Sequence, residues 1–405
     1  MSKQVIFINS HPIQYFAPMY KRLNERGVRT ACWYCTDATL RGSFDHEFGQ
    51  NVKWDVPLLD GYEYEFFPNR ARGNSRQDWG FFGLVNPGLL ARLFQIPKSV
   101  LVVHGWHYAT LLGVLLLGRL RGHTVCLRCE MPLNQEQLKT GWKQRLKQLA
   151  LKYVLFPRVD YFLYIGRQNQ LLYQSMGLPP ERLLFAPYSV DNARFRQQAA
   201  ELAPERAAIR QRLGIPAGAS VVVYSAKYIE KKRPLDLLQA FAQLDAPAAW
   251  LVLVGEGELR PALEQFIAER QLQNVVLTGF VNQSKIAEFY AIGDLFVLCS
   301  GVGETWGLSA NEAMNFNLPL LISDLSGCAP DLVKPGANGY TFRTGDMANL
   351  AQRLRQVLVN RELTHAVSSA ELVQQYSYDT VANSLAPLAQ AAGVPRPAAV
   401  ADPTV

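Results

Sequence analysis

The chain lacks any apolar run long enough to span a bilayer. Its longest apolar helical stretch, residues 108–118, is shorter than the roughly 20 residues that a transmembrane helix needs. It also lacks a long basic run: the 41 Lys and Arg residues give a net charge of +7 but are scattered. This pattern argues against a nucleic-acid-binding surface. The first strand is expected at residues 5–8, directly after the four residues Met-Ser-Lys-Gln, so we expect no signal peptide. We therefore expect a cytoplasmic protein that binds no nucleic acid.

Cysteine is also sparse, with six residues in 405. Two pairs have a zinc-like spacing, Cys32 with Cys35 and Cys126 with Cys129. Each pair lies in a strand-like run, where residues three apart point to opposite faces. Zinc binding remains an alternative, but we expect buried free thiols in a reducing compartment. Because no Asp-x-Asp pair and no three-ligand cluster is evident, we expect no metal ion and no other cofactor.

Short apolar runs alternate with helical stretches along most of the chain. In the second half, the strands predicted at 221–224, 250–254 and 275–277 are each followed by a helix. Such alternation indicates parallel sheets covered on both faces. The sequence predicts an α/β protein with two Rossmann-like domains, residues 1–190 and 191–376. A helix at 377–390 is expected to pack back on the first domain, with a disordered tail at 391–405.

A glycine-rich turn carrying two glutamates follows the apolar run at 294–299. Over residues 300–314 it reads Ser-Gly-Val-Gly-Glu-Thr-Trp-Gly-Leu-Ser-Ala-Asn-Glu-Ala-Met. A helix starting near Leu308 or Ser309 would form an anion site, because the first helical turn leaves N–H groups unpaired. Glu304 lies before that helix and Glu312 about one turn inside it, where a carboxylate can accept sugar hydroxyls. Ordinary acidic residues at a helix start are the alternative interpretation.

This stretch resembles the donor-site signature of glycosyltransferase family 4, whose members are GT-B enzymes that use nucleotide sugars. The resemblance rests on two glutamates with seven residues between them, on Gly307-Leu308 inside, and on Ala313-Met314 after them. It is strong over residues 221–342 and weak before them. It implies two domains facing a cleft, retention of anomeric configuration and no required metal.

The resemblance also implies roles for residues of the second domain. Lys227 stands where the family usually has arginine, and Lys232 follows five residues later; both are expected to hold the donor diphosphate. Lysine does this as a point charge, without the fork of arginine, and a solvated basic loop is the alternative. Phe280 lies in a loop expected around the nucleotide base. The implied donor-binding residues are Lys227, Lys232, Phe280, Glu304, Thr305, Trp306, Gly307, Leu308, Ser309 and Glu312.

Two histidines follow the strand predicted at 99–103, where the family keeps an active-site histidine. We favour His107 as the catalytic residue of the first domain, together with Glu304 of the second. His104 fits the buried end of the strand. Three-residue spacing between the histidines, without an evident third ligand, does not indicate a metal site.

Further candidates lie at the ends of neighbouring strands, where ligands bind in open α/β sheets. His11 follows the strand at 5–9 and is expected on the acceptor side. Arg128 and Glu130 resemble the family's Arg-x-Glu element and are placed on the same side. The irregular, aromatic-rich stretch 41–86 fits either an acceptor-binding loop or a covered surface.

Basic and apolar residues alternate at helical spacing over residues 141–157. The basic residues are Lys143, Arg145, Lys147 and Lys152. This pattern favours either a solvated helix face or a peripheral contact with an anionic membrane. A mildly basic protein also suits an anionic ligand such as a nucleotide diphosphate.

Taken with the resemblance, the sequence predicts a retaining glycosyltransferase that moves a sugar from a nucleotide sugar to an acceptor. The expected acceptor is a glycan or lipid-linked saccharide of a bacterial cell-surface polysaccharide. The expected location is the cytoplasm, with a peripheral contact at the inner membrane face as an alternative. A nucleotide-sugar 2-epimerase of the same fold is one alternative, and an inactive nucleotide-sugar-binding module is another. The donor sugar, the base and the acceptor stay open.

Overall fold

The computed structural model describes residues 2–38, 40, 42–45, 47–71, 80–244 and 246–390. The expected tail at 391–405 and residues 72–79 of the irregular stretch lie outside the described residues. The chain divides into two compact units. Unit 1 takes the described residues within 1–41, 57–187 and 378–405, and unit 2 those within 42–56 and 188–377.

Strands and helices alternate in both units. The strands are β1 (Val5–Asn9), β2 (Thr30–Tyr34), β3 (Ser43–Asp45), β4 (Gln50–Val52), β5 (Glu63–Phe66), β6 (Val100–His104), β7 (Thr124–Arg128), β8 (Tyr161–Tyr164), β9 (Leu183–Phe185), β10 (Ser220–Ser225), β11 (Ala249–Val254), β12 (Val275–Leu277), β13 (Leu295–Leu298), β14 (Leu320–Ser323) and β15 (Gly339–Phe342). The α-helices are α1 (Ala17–Glu25), α2 (Pro87–Arg92), α3 (Ala109–Leu117), α4 (Leu133–Glu136), α5 (Trp142–Leu149), α6 (Arg167–Ser175), α7 (Asn192–Leu202), α8 (Arg206–Arg212), α9 (Pro234–Phe241), α10 (Arg260–Glu269), α11 (Ile286–Ala291), α12 (Leu308–Met314), α13 (Ala329–Leu332), α14 (Met347–Leu358), α15 (Ser369–Leu372) and α16 (Tyr378–Gln390).

Unit 1 is built on a parallel sheet with the strand order β5-β2-β1-β6-β7-β8-β9. The inner strands are nearly continuous apolar runs, the pattern of strands covered on both faces. In the register of β6 and β7, His104 lies beside Arg128, so the carboxyl ends of these strands meet at one edge. Helix α16 packs on α1, where the Arg22 guanidinium donates to both carboxylate oxygens of Asp379 at 2.8 and 3.1 Å.

Unit 2 is built on a second parallel sheet with the order β12-β11-β10-β13-β14-β15. Its core packs apolar residues of β10, β11 and β13 against α9 and α14. The carboxyl ends of β10, β12 and β13 bring three loops to one edge of this sheet. These loops carry Lys227 and Lys232, Phe280, and the glycine-rich turn with Glu304.

The predicted α/β class with two parallel-sheet domains is confirmed. The prediction placed residues 42–56 in the first domain, whereas the described residues 42–45 and 47–56, which include the antiparallel hairpin β3-β4, group with unit 2. The helix predicted over 141–157 is also less regular: α5 continues as a π-helix over Ala150–Leu155. Within the described parts of the chain, no helix is both long and apolar enough to cross a bilayer.

Candidate functional site

The turn after β13 depends on two glycines. Gly307 has a φ of 109°, and a Cβ there would lie 2.5 Å from Leu298 Cδ2. A Cβ on Gly327 would lie 1.9 Å from the carbonyl oxygen of Thr305. A side chain at Gly327 would force the backbone to move, whereas one at Gly307 would displace the Leu298 side chain and strain the backbone at its positive φ. Helix α12 begins at Leu308, as predicted, with Gly307 as its N-cap.

Glu304 and Lys232 form an ion pair beside this turn. Lys232 Nζ donates to Glu304 Oε2, and the two side chains are 19% and 9% exposed, respectively. Burial raises the pKa of Glu304, but the charges of Lys232 and Lys231 outweigh burial and hold that pKa below its ordinary value. Two residues predicted at the donor site are therefore brought together, with the carboxylate ionised at neutral pH.

Main-chain hydrogen bonds hold the lysine loop against the glycine turn. The Gly301 amide donates to the carbonyl oxygen of Lys231 at 2.8 Å. The buried Tyr224 hydroxyl lies 3.2 Å from the carbonyl oxygen of Lys232 and 3.3 Å from that of Lys227. The position of Lys232 is thus set by the sheet beneath it. Helix α12 has only seven residues, too few for its N-terminus to count as a source of positive charge. We therefore assign the positive charge of this site to the lysines.

Lys227 pairs with acidic residues far away in the sequence. Its Nζ lies 3.1 and 3.2 Å from the two carboxylate oxygens of Asp45 and 2.6 Å from Glu47 Oε2. It also lies 4.5 Å from the ring centroid of Phe48. The ring of Phe48 in turn packs edge-on against Phe280, with centroids 5.0 Å apart. The hairpin therefore contacts two predicted donor-binding residues.

Glu312 is buried and held by two side-chain donors. The Tyr290 hydroxyl donates to Oε2 at 2.6 Å, and Gln283 Nε2 donates to Oε1 at 3.3 Å. Arg194 donates to the side-chain and main-chain oxygens of Gln283, each at 3.1 Å, and so fixes which end of the amide faces Glu312. Sequence reasoning missed these two partners and Arg194 behind them, because Tyr290 resembles a core aromatic residue and the others lie in unrelated segments.

Trp306 lies in the core of unit 2. Its Nε1 donates to Asn311 Oδ1 at 2.8 Å, and its ring lies 5.5 Å from that of Tyr376. These contacts hold the side chain in the core, and its predicted donor contact stays a prediction. Thr305, Leu308 and Ser309, the other predicted donor-binding residues of the turn, are partly buried.

In unit 1, His107 is exposed just beyond β6, with its ring 4.1 Å from that of Tyr108. Partial desolvation lowers the pKa of His107. His104 packs its ring 4.8 Å from Phe16, and the Arg128 guanidinium lies 5.1 Å from the same ring. Burial and then the charge of Arg128 hold the pKa of His104 well below its ordinary value, so this histidine is neutral. The catalytic role of His107 stays a prediction.

The predicted acceptor-side residues occupy the same end of the unit 1 sheet. His11 lies after β1, with its Nδ1 2.8 Å from Ser10 Oγ. Arg128 ends β7, is buried, and donates to the carbonyl oxygen of Pro187 at 3.3 Å. Glu130 follows two residues later and is partly buried. Nothing in this geometry assigns them a ligand, and their roles stay predictions.

All six cysteines are buried free thiols. Burial raises the pKa of Cys32, Cys35 and Cys129 to about 12, so these thiols are protonated at neutral pH. Among the described residues, no group of three or more His, Cys, Asp or Glu side chains is arranged to hold a metal ion.

Helix α5 and the π-helix after it expose a row of large apolar residues. These residues are Trp142, Leu146, Leu149, Tyr153 and Val154. Two lysines lie over exposed rings, Lys143 at 5.9 Å from Trp142 and Lys152 at 5.5 Å from Tyr153. Lys147, by contrast, is tied to the buried Glu136 at 2.8 Å. A cavity of about 400 Å³ opens beside this row. We call residues 142–154 the basic apolar face.

Comparison with known proteins finds a family match in the second half of the chain. Residues 205–371 match the family model described as glycosyl transferases group 1. Sulfoquinovosyl transferase SQD2 of Arabidopsis thaliana is 29% identical over 52% of this chain and 38% of its own length. Alpha-monoglucosyldiacylglycerol synthase of Acholeplasma laidlawii is 27% identical over 44% of this chain and 45% of its own length. The chain thus spans less than half the length of these relatives.

Solved structures show the same fold over nearly the whole chain. Anabaena Alr3699/HepE, solved in complex with UDP and glucose, aligns with a TM-score of 0.67 at 16% identity. The alignment covers 95% of this chain and 99% of that protein. At this identity the likeness concerns the fold, which is the GT-B arrangement of two α/β domains.

Proposed function

We propose that the chain transfers a sugar from a nucleoside diphosphate sugar to an acceptor, because residues 205–371 match the family model described as glycosyl transferases group 1. The observation that carries the proposal is the Glu304–Lys232 pair at the carboxyl edge of the unit 2 sheet. A buried carboxylate beside a lysine suits a ligand that combines hydroxyls with phosphates. The ligands of the Anabaena structure, UDP and glucose, have this chemistry.

In the proposed reaction, the bond between the anomeric carbon and the diphosphate oxygen breaks. A bond from that carbon to an acceptor oxygen forms, and the acceptor hydroxyl loses its proton. Negative charge grows on the departing diphosphate, and Lys232 and Lys227 would stabilise it most in the transition state. We propose that this charge makes a metal ion unnecessary, and that the anomeric configuration is retained.

Within this proposal, Glu312 accepts hydroxyls of the bound nucleotide sugar. The Tyr290 hydroxyl and the Gln283 amide hold its carboxylate in one orientation. Glu304 faces the sugar, and His107 of unit 1 serves the transfer step. His11, Arg128 and Glu130 recognise the acceptor.

The test is incubation of the full chain with a panel of UDP-, GDP-, ADP- and dTDP-sugars, with and without saccharide acceptors. Release of nucleoside diphosphate with sugar on an acceptor, or slow hydrolysis without one, supports a transferase. Conversion of the donor to its epimer without release would identify a 2-epimerase. Binding without any conversion would identify an inactive module. Activity that a chelator abolishes and a divalent ion restores would contradict the metal-free reaction.

We also propose that the acceptor is a glycan or lipid-linked saccharide met at the cytoplasmic face of an anionic membrane. The support is the basic apolar face, where Lys143 and Lys152 flank exposed rings, the composition that binds anionic bilayers. The six buried thiols suit a reducing compartment. The name of the Acholeplasma relative includes a diacylglycerol lipid.

Vesicle sedimentation tests the membrane proposal. Binding to phosphatidylglycerol vesicles, and not to phosphatidylcholine vesicles, is expected. Trp142→Ser with Leu149→Ser should abolish it, whereas Phe82→Ser, which removes another exposed aromatic ring of unit 1, should not. Equal binding by all three proteins would contradict a role of this face.

A further inference from the structure

The hairpin formed by residues 42–45 and 47–56, here the acidic hairpin, covers the lysine that the proposed donor needs. It lies in the first half of the sequence but forms part of unit 2. Its strands pair antiparallel, with Ser43 opposite Val52 and Asp45 opposite Gln50. The hairpin carries three carboxylates against one lysine. It therefore presents net negative charge to unit 2.

Two of the three carboxylates are committed to Lys227. Its Nζ lies 3.1 Å from Asp45 and 2.6 Å from Glu47, and the Phe48 ring covers the same ammonium group at 4.5 Å. These carboxylate oxygens contact the ammonium group in the way that the phosphate oxygens of a ligand would. Lys227 cannot hold a diphosphate at these positions while it holds these two carboxylates.

The same hairpin covers the loop expected around the nucleotide base. Phe48 packs edge-on against Phe280 at 5.0 Å, and Trp54 lies 6.4 Å from the same ring. Hydrogen bonds fix this end of the hairpin. Asn282 Nδ2 donates to the carbonyl oxygen of Lys53 at 2.8 Å, and the Ser284 amide donates to Asp55 at 3.2 Å.

We infer that the acidic hairpin is an internal competitor of the donor, with Asp45 and Glu47 in place of the diphosphate on Lys227 and aromatic rings in place of the base on Phe280. The inference rests on the proposed function for the identity of the ligand. A donor then binds after the hairpin releases Lys227, so its apparent affinity is reduced by the fraction of molecules in which the hairpin is released. The hairpin therefore raises the donor concentration at which the site becomes occupied.

A first experiment needs no donor. Amine acetylation of the full chain is followed by peptide mass spectrometry, with the exposed Lys285 as internal reference. In the variant Asp45→Asn/Glu47→Gln, Lys227 should react at least about threefold faster relative to Lys285. The reason is that the variant removes two partly exposed ion pairs, each of which contributes a small stabilisation to the covered state of the lysine. The control Glu201→Gln/Glu264→Gln makes the same charge change on exposed residues of unit 2. Equal reactivity of Lys227 in all three proteins would overturn the inference.

A second experiment measures competition. Calorimetry with UDP, GDP, ADP and dTDP identifies the diphosphate that binds wild type best. The variant Asp45→Asn/Glu47→Gln should bind it about three- to thirtyfold more tightly, and the control variant should not. With Lys227→Met in the background, the gain should disappear, which separates competition for the lysine from general repulsion of phosphate. Unchanged binding by the variant would mean that the hairpin does not compete with the ligand, and weaker binding would mean that it assists the ligand; either result would overturn the inference.

Hydrogen exchange supplies a second readout of the same competition. On saturation with the best-binding diphosphate, amides of residues 47–56 should lose protection if the hairpin is displaced. A gain of protection would identify a closing lid instead and contradict competition. If no nucleoside diphosphate binds any protein, the proposed function fails, while the acetylation result still decides whether the hairpin covers Lys227.

Discussion

Lys232→Met tests whether the Glu304–Lys232 pair is structural, catalytic or both. Removing one partner of a buried ion pair leaves an uncompensated charge and typically costs about 3–5 kcal/mol. Lys232 keeps some solvent access here, at 19% exposed against 9% for Glu304. We therefore expect the free energy of unfolding to fall by about 2–4 kcal/mol.

The double variant Lys232→Met/Glu304→Gln separates the two roles. Glutamine carries no charge, so the double variant should recover stability to within about 1 kcal/mol of wild type. Catalysis should not recover. If Lys232 stabilises the departing diphosphate, turnover falls about 10²–10³-fold in both variants. Denaturant unfolding gives the first quantity and the nucleotide-sugar assay the second.

The pH dependence gives an independent check. In wild type the pKa of Glu304 is lowered on folding, so the pair contributes stability above the unfolded-state pKa and loses it as pH falls through the folded-state value. In Lys232→Met, burial remains while the largest cause that lowers the pKa of Glu304 is removed, so we expect that pKa to rise. Acidification then neutralises the buried charge, and the stability gap to wild type should narrow from pH 8 to pH 5. A constant gap, or a double variant no more stable than Lys232→Met, would refute the reasoning.

Three further predictions follow from buried contacts. Two lysines outweigh burial and lower the pKa of Glu136 to about 2. Its ion pairs therefore stabilise the protein above about pH 4.3, and this stability is lost as the pH falls towards 2. Glu136→Gln should make the stability less dependent on pH in that range, and an unchanged acid-denaturation curve would contradict this. Tyr290→Phe removes a hydrogen bond to Glu312 and should weaken nucleoside diphosphate binding about tenfold by calorimetry; full affinity would argue against a ligand role of this carboxylate. Gly327→Ala should lower stability by about 1–3 kcal/mol, whereas Gly218→Ala, with open space around its Cβ, serves as control; equal melting of both would contradict the close approach.

The fold was predictable because its signals are local. Parallel strands buried on both faces are continuous apolar runs, and the strands predicted at 5–9, 250–254 and 275–277 match β1, β11 and β12 to within one residue. The glycine turn and the start of α12 were predictable for the same reason, since positive φ favours glycine. The lysine loop and the glycine turn were expected at one sheet edge from their places after β10 and β13.

The hairpin contacts could not be predicted from such signals. Asp45 and Lys227 are 182 residues apart, and neither has a periodic pattern that points to the other. Part of the stretch 41–86 is irregular in sequence because the hairpin's polar and aromatic side chains find partners in distant segments. The partners of Glu312 were missed similarly, since a tyrosine on the apolar face of α11 looks the same whether or not its hydroxyl binds a carboxylate.

The place of α16 has a consequence for synthesis of the chain. This helix completes unit 1 through two contacts. Its Asp379 pairs with Arg22, and the carbonyl oxygen of Ala389 accepts a hydrogen bond from the Lys3 amide. All of residues 188–377 are translated before it. On the ribosome, the sheet of unit 2 therefore emerges in full while α1 still lacks its packing partner. Synthesis of unit 1 starts before that of unit 2 but is completed after it. A stalled or shortened nascent chain therefore leaves the surface of α1 uncovered, where a chaperone can recognise it.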